Sequence, residues 1–194
     1  PFAQEVLPNG LRILVVQSKK QPIVSLTLAF SSGLIHDPAG KDGLAGMVAG
    51  LLTKGAGTRT AKQVSEAIEG AGGSLSTDAD SDFLIITSTV LKPSLPLAFE
   101  LMGDAVLRPT FPASEVELLR TQTLSALQVA LTQPEVIADR AFRRALYGQH
   151  PYGRSPTSSG IQAISRADLV AFQQTRLRPS GALLVLAGDV TLAE

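Results

Sequence analysis

Apolar and polar residues alternate along several stretches of the chain, a pattern typical of strands with one buried face. In the clearest case Val24, Leu26 and Leu28 alternate with Ser25 and Thr27. Another stretch follows the turn-forming dipeptide at 9–10 and is rich in aliphatic residues. The predicted strands are residues 11–17, 24–30, 74–77, 83–91 and 183–187, with a turn at 78–82.

Longer segments between these strands carry helical signals. Gly72 and Gly73 follow one of them, and glycine commonly closes a helix in the left-handed conformation. Ser114 begins another, with Glu117 three residues later, which is the spacing of a capping box. The predicted helices are residues 42–54, 60–71, 94–106, 114–131, 135–147 and 166–176.

The order of these elements predicts the fold class. Two strands, two helices, two strands, several helices and a last strand follow one another, so strands and helices occur in separate runs. Such runs favour an α+β fold over a doubly wound parallel sheet. We expect a two-layer sandwich in which an antiparallel-rich sheet carries helices mainly on one face.

Composition bounds the size of the fold and the class of partner. At 194 residues the chain fits one domain, or one half of a larger two-domain subunit. Seventeen basic residues balance seventeen acidic ones, so no long-range field indicates a nucleic acid or an anionic membrane as partner. No apolar run approaches the roughly 18 residues that span a bilayer.

The sequence does not fix the cellular compartment of the protein. The chain has no cysteine, which excludes disulfides and thiolate chemistry but does not fix the redox environment. It begins at Pro1, which we interpret as the loss of an upstream segment. Both features are compatible with a periplasmic or otherwise exported protein.

Few side chains suggest a reactive site. The only histidines are His36 and His150, and both lie beside loop-forming residues. A metal site that combines them with Asp37 lacks the paired ligand spacing of zinc sites, and loop histidines with ordinary hydrogen bonds are the simpler interpretation. A serine nucleophile beside His150 is the other alternative, but the surrounding Pro, Gly and Ser residues favour a turn. The serines concerned are Ser155, Ser158 and Ser159.

Two further clusters have both a functional and a structural interpretation. A basic patch with a tyrosine is a candidate contact for a peptide or partner, although a solvated helix face is the simpler interpretation. Its members are Arg143, Arg144, Tyr147 and Arg154. The glycines Gly43, Gly46 and Gly50 lack the spacing and the Lys-Ser/Thr ending of a phosphate loop.

Taken in order, these segments resemble the N-terminal domain of the insulinase and mitochondrial processing peptidase family, the pitrilysin-like zinc peptidases. The family's first strand is matched by LPNGLRILV, and its active-site loop and helix by SSGLIHDPAGKDGLAGMVAGLLTKGAGTRTA. The following helix and hairpin are matched by AIEGAGGSLSTDADSDFLIITSTVL. The late loop and last strand are matched by YGQHPYGRS and LRPSGALLVLAGDV. The resemblance therefore covers nearly the whole chain.

The resemblance also implies where zinc would bind. Catalytic members carry His-x-x-Glu-His on the active-site helix, so that two histidines four apart reach one Zn²⁺ and the glutamate activates water. Here the matching positions are Gly46, Ala49 and Gly50. The family's third ligand is a glutamate on a later helix, but residues 118–134 contain no Asp, Glu, His or Cys. We therefore expect no catalytic residue, no metal ligand and no cofactor in this chain.

The replacements themselves are unusual, because glycine in a helix interior costs about 0.8–1 kcal/mol relative to alanine. We expect Gly46, Ala49 and Gly50 to share one helix face. The residues that we expect to be buried on the opposite face are Leu44, Val48 and Leu51. The simpler interpretation is that the small face allows close packing of a neighbouring element. The alternative is that a former metal cleft has become a contact surface.

The resemblance implies a single inactive-peptidase domain over residues 1–194, the N-terminal half of a longer two-domain subunit. Its function would be that of a non-catalytic subunit that shapes a peptide chamber together with a catalytic zinc-peptidase partner, as a heterodimer. Two alternatives remain: a structural or binding scaffold unrelated to proteolysis, and an independent enzyme with an unrecognised site.

Overall fold

The computed structural model describes residues 2–194. Pro1, on which the interpretation of a lost upstream segment rests, lies outside the described residues. Eight strands are present: β1 Ala3–Val6, β2 Arg12–Gln17, β3 Ile23–Phe30, β4 Gly55–Ala56, β5 Arg59–Thr60, β6 Ser74–Ala79, β7 Leu84–Leu91 and β8 Ala182–Gly188. Seven α-helices are present: α1 Leu44–Leu51, α2 Ala61–Gly70, α3 Leu95–Leu107, α4 Ala113–Ala130, α5 Pro134–Tyr147, α6 Ser158–Ala163 and α7 Arg166–Arg176.

Six of the strands form one sheet in the order β1-β2-β8-β3-β7-β6, and β4 pairs with β5 in a separate small hairpin. Every neighbouring pair in the large sheet is antiparallel except β2 and β8, which run parallel. Helices α1 and α3 pack against its β6–β7 side. The predicted two-layer α+β fold with an antiparallel-rich sheet is confirmed.

The alternation along β3 decides which face of the sheet is buried. Val24 and Leu26 point into the core, whereas Ser25 between them is exposed. Its hydroxyl lies 3.2 Å from that of Thr89 on β7, so the two small polar side chains share a hydrogen bond on the outer face. The period of two in the sequence therefore corresponds to burial on one side only.

Three elements were not predicted: strand β1, the β4–β5 hairpin and helix α6. All four residues of β1 are exposed, so this edge strand has no alternating pattern to detect. The predicted turn at 78–82 is shorter than expected, because β6 continues to Ala79. The turn itself is closed by Asp80, whose carboxylate accepts hydrogen bonds from the N–H groups of Asp82 and Phe83 at 2.8 and 2.7 Å.

The predicted capping box at Ser114 is wrong. Helix α4 begins one residue earlier, with Pro112 as its N-cap and no side-chain cap. Glu117 instead forms an ion pair with Arg120, whose Nε lies 3.2 Å from the carboxylate. Glu117 is thus held by a side-chain contact within the helix and does not close its N-terminus.

Candidate functional site

Helix α1 is fixed at its start by a buried carboxylate from the preceding loop. The Asp37 side chain accepts hydrogen bonds from Gly43 N at 2.7 Å and from Ala45 N at 2.8 Å, which satisfies two otherwise unpaired N–H groups. Burial raises the pKa of Asp37, and these two hydrogen bonds act in the opposite direction. Gly43 has φ +108°, so the helix begins later than the predicted residue 42.

The three positions that match the family's zinc motif do not share one accessible face. Gly46 is exposed and Gly50 is partly exposed, but Ala49 is buried at 1% exposure. The Ala49 carbonyl accepts a hydrogen bond from Thr77 Oγ1 at 2.6 Å, which ties this turn of α1 to strand β6. Within the predicted small face of α1, Ala49 is therefore buried against β6, whereas Gly46 is exposed.

Close packing explains one of the two glycines. A Cβ on Gly50 would lie 3.0 Å from Leu119 Cδ2 of α4, which is tighter than ordinary van der Waals contact. A Cβ on Gly46 would meet no heavy atom within 4 Å outside its own helix. The predicted close packing is therefore confirmed at Gly50, whereas Gly46 borders open space.

The positions of α1 that match the zinc motif offer no metal-binding side chain. Glycine and alanine at 46, 49 and 50 have no side-chain donor atom, and the facing helix α4 has no carboxylate after Glu117. Among residues 2–194, no group of three His, Cys, Asp or Glu side chains could hold a metal ion. The chain supplies neither a ligand set nor a general base at this position.

The two histidines and Asp37 do not form the alternative metal site. The Asp37 carboxylate is committed to the N-terminus of α1, and His150 Nδ1 accepts a hydrogen bond from Tyr152 N at 3.2 Å. His36 Nδ1 is buried without a hydrogen-bond partner in the described chain. Burial, followed by the nearby Arg176 charge, lowers the pKa of His36.

The three candidate serines lie in helix α6 or shortly before it. Ser158 and Ser159 belong to its first turn, which replaces the predicted turn at this point. Thr157 caps this helix by accepting a hydrogen bond from Gly160 N at 3.0 Å. In the described chain, no serine hydroxyl among Ser155, Ser158 and Ser159 hydrogen-bonds to a histidine.

The predicted basic patch divides between two sides of α5. Arg143 and Tyr147 line one cavity, together with Tyr152. Arg144 and Arg154 line a separate groove, which also contains Arg140. Arg140 was not singled out in the sequence, although its spacing of four from Arg144 places the two on the same face of a helix.

Tyr152 anchors the loop after α5 to the rest of the fold. Its hydroxyl donates a hydrogen bond to the Asp82 carboxylate at 2.5 Å, and this contact raises the pKa of Tyr152. The ring packs edge-on against Tyr147, with 5.4 Å between the ring centres. The end of α5 and the following loop are therefore held in a defined geometry.

Among residues 2–194, none of the helices combines the length and the hydropathy of a membrane-spanning segment.

Comparison with known proteins places this architecture in a family. The model of the insulinase family, peptidase family M16, matches residues 12–158. An uncharacterized zinc protease of Mycobacterium leprae is 30% identical over 186 residues, which cover 95% of this chain and 42% of the relative. An uncharacterized zinc protease of Rickettsia bellii is 25% identical over 191 residues, 97% of this chain and 46% of the relative.

Solved structures show the same fold. A peptidase M16 inactive domain from Pseudomonas fluorescens superposes with a TM-score of 0.95 at 23% identity and covers all of this chain and 48% of that protein. The first half of the periplasmic protease PqqL from Escherichia coli gives a TM-score of 0.87 at 19% identity, over 99% of this chain and 43% of that one. This chain spans less than half the length of each of these proteins.

The family model covers well over half of the chain, and the fold agrees with it over the full described length. The chain belongs to the insulinase family of peptidases, family M16.

Proposed function

We propose that this chain is a non-catalytic domain of an M16 peptidase assembly, which shapes a peptide-binding chamber beside a catalytic zinc-peptidase partner. Residues 1–194 would form a single inactive-peptidase domain, the N-terminal half of a longer two-domain non-catalytic subunit of that assembly. Gly46, Ala49 and Gly50 would be the degenerate remnants of the zinc motif.

The zinc that the family implies does not fit the residues at this position. Two imidazoles and a glutamate would have to stand where the chain has two glycines and an alanine. Leu119 further occupies the space beside Gly50 into which a side chain would extend. The structurally similar protein from Pseudomonas fluorescens is a peptidase M16 inactive domain.

The observation that carries the partner role is the exposure of helix α5. None of its fourteen residues is buried in the described chain. Ile137, Phe142 and Leu146 are 51%, 63% and 58% exposed. A helix of a globular protein normally buries an apolar stripe, and contiguous exposed apolar side chains mark interaction surfaces. Leu118, Val129 and Leu131 on or next to α4 are exposed as well.

Co-expression with a catalytic M16 protein from the same genome tests this proposal. We expect a stable complex in which zinc-dependent peptide hydrolysis depends on the partner's zinc motif. The double substitution of Phe142→Ser and Leu146→Ser should abolish the complex without destabilising the free chain, because neither side chain is buried. Val6→Ser, on an exposed residue of β1, is the matched control and should leave the complex intact.

Two outcomes would contradict the proposal. Zinc-dependent hydrolysis by the purified chain alone would make it an independent enzyme. A stable complex with proteins unrelated to peptidases, and none with a catalytic M16 protein, would favour the scaffold function.

A further inference from the structure

A groove of about 450 Å³ lies between helix α5 and the loop that follows it. Three arginines line it: Arg140 and Arg144 from α5, and Arg154 from the loop. Asp42, just before α1, contributes the single carboxylate. Three positive charges against one negative charge leave the groove basic in a chain whose net charge is zero.

The carboxylate of Asp42 neutralises only one of these arginines. Its Oδ1 lies 3.2 Å from Arg154 Nε, and Arg154 also donates a hydrogen bond to the Asp37 carbonyl at 2.9 Å. Arg140 donates one hydrogen bond to the Pro156 carbonyl. No carboxylate of residues 2–194 lies within 4.0 Å of Arg140 or Arg144. Each guanidinium has five N–H donors, so most donors of these two side chains remain free.

Arg140 and Arg144 lie on the same face of α5, because they are four residues apart. Their like charges therefore repel each other. Their neighbour Arg143 shows the usual arrangement, because its Nε lies 2.8 Å from the Asp139 carboxylate. A bound anion in the groove would pair with both side chains and relieve their repulsion.

The geometry of the loop keeps the groove in shape. A Cβ on Gly153 would lie 2.7 Å from the Gly148 carbonyl oxygen, so the loop backbone approaches the end of α5 as closely as glycine allows. Both glycines line the groove. Its floor therefore lacks side chains at these two points, and an extended peptide backbone can approach it.

We propose that this groove binds an acidic peptide segment, whose glutamate or aspartate carboxylates pair with Arg140 and Arg144. The guanidinium group matches a carboxylate in two-point hydrogen bonding, which gives specificity as well as affinity. The choice of a peptide as the ligand rests on the proposed function within a peptidase assembly. The balanced overall charge provides no broad field for nucleic acid.

Fluorescence anisotropy with two labelled short peptides tests this site on the 194-residue chain. The peptides have amidated C-termini and differ only in that glutamates of the first are glutamines in the second. We expect the glutamate peptide to bind about tenfold more tightly, since a paired charge is lost in the other. Raising the salt concentration from about 0.05 M to about 0.5 M should weaken that preference.

Arg144→Gln is the diagnostic variant, because the Arg144 side chain makes no hydrogen bond or ion pair in the described chain whose loss could unfold the protein. It should weaken binding of the glutamate peptide severalfold and leave binding of the glutamine peptide nearly unchanged, because one of the two pairing guanidinium groups is lost. Arg143→Gln makes the same charge change at the next residue, outside the groove, and should retain the preference.

Equal binding of the two peptides, or no binding of either, would overturn the proposal. Equal losses in the two variants would do the same, because a general charge effect would then explain them. The result is separable from that of the co-expression experiment. Selective glutamate-peptide binding without a catalytic complex would refute the proposed function alone, and a complex without peptide selectivity would refute this site alone.

Discussion

Leu119 of α4 lies 3.0 Å from the point at which a Cβ would stand on Gly50 of α1. Gly46, one turn earlier on the same helix, has open space at the corresponding point. The two glycines that match the family's zinc-binding histidines therefore differ in their surroundings. Packing restricts the size of residue 50, whereas no neighbour outside the helix restricts residue 46.

This difference predicts that the two positions respond differently to added side-chain volume. Gly46→Ala should stabilise the chain by about 0.8–1 kcal/mol, the difference in helix propensity, and raise the melting temperature by about 2–4 °C. Gly50→Ala should increase the free energy of unfolding by less than Gly46→Ala does, because the Leu119 side chain must move to accommodate a methyl group. Thermal and urea unfolding of both variants measure this. A larger gain at Gly50 than at Gly46 would show that Leu119 does not restrict that position.

Restoring the zinc motif should not restore a zinc site. We expect the triple variant Gly46→His, Ala49→Glu and Gly50→His to bind no stoichiometric zinc and to hydrolyse no peptide. The first reason is that Leu119 crowds residue 50, and the second is that α4 provides no carboxylate after Glu117 to serve as a further ligand. Metal analysis after chelator washing and zinc reconstitution tests this, with the unaltered chain as control. One tightly bound zinc per triple-variant chain would contradict the prediction.

The sequence predicts the main sheet well because its strands bury one face only. Val24 and Leu26 on β3 and Ile86 on β7 lie in the core at the positions that the alternation indicates. Strand β1 was missed for the converse reason. It is exposed at every residue and held by pairing with β2, so its formation depends on backbone hydrogen bonds and not on a burial pattern.

The candidate site was less predictable, because it depends on contacts between distant segments. The residue types at 46, 49 and 50 follow from the sequence, but the packing of Leu119 against Gly50 requires the relative positions of α1 and α4. The groove of Arg140 and Arg144 likewise exists only because the loop returns along α5. The spacing of four between these arginines was present in the sequence, but it did not indicate what faced them.

The contact between Asp37 and the start of α1 should be a major source of stability. Asp37→Ala removes two charge-assisted hydrogen bonds and leaves the N–H groups of Gly43 and Ala45 unpaired. We expect a loss of roughly 2–4 kcal/mol in the free energy of unfolding, seen as a lower urea midpoint. Asp37→Asn should cost less, because one acceptor oxygen remains.

Glu66→Gln is a suitable control for this measurement, because Glu66 is an exposed residue whose carboxylate lies 3.5 Å from Lys62. Its effect should stay within about 0.5 kcal/mol. If Asp37→Ala were no more destabilising than Glu66→Gln, the buried carboxylate would not be what holds the N-terminus of α1.

Asp168 should make the chain sensitive to acid. Burial raises its pKa, but hydrogen bonds from Lys41, at 2.7 Å, and from Ser165 outweigh this and lower the pKa to about 2. Because the folded-state pKa lies below that of the unfolded chain, this stabilisation is complete above about pH 4 and is lost as the pH falls towards 2. Asp168→Asn should therefore cost roughly 1–2 kcal/mol at pH 7, allowing for solvent screening, and almost nothing near pH 2. Urea unfolding across this range measures both values, with the exposed Asp139→Asn as control. If Asp168→Asn lowered the free energy of unfolding equally at every pH, the charge of Asp168 would contribute nothing to stability.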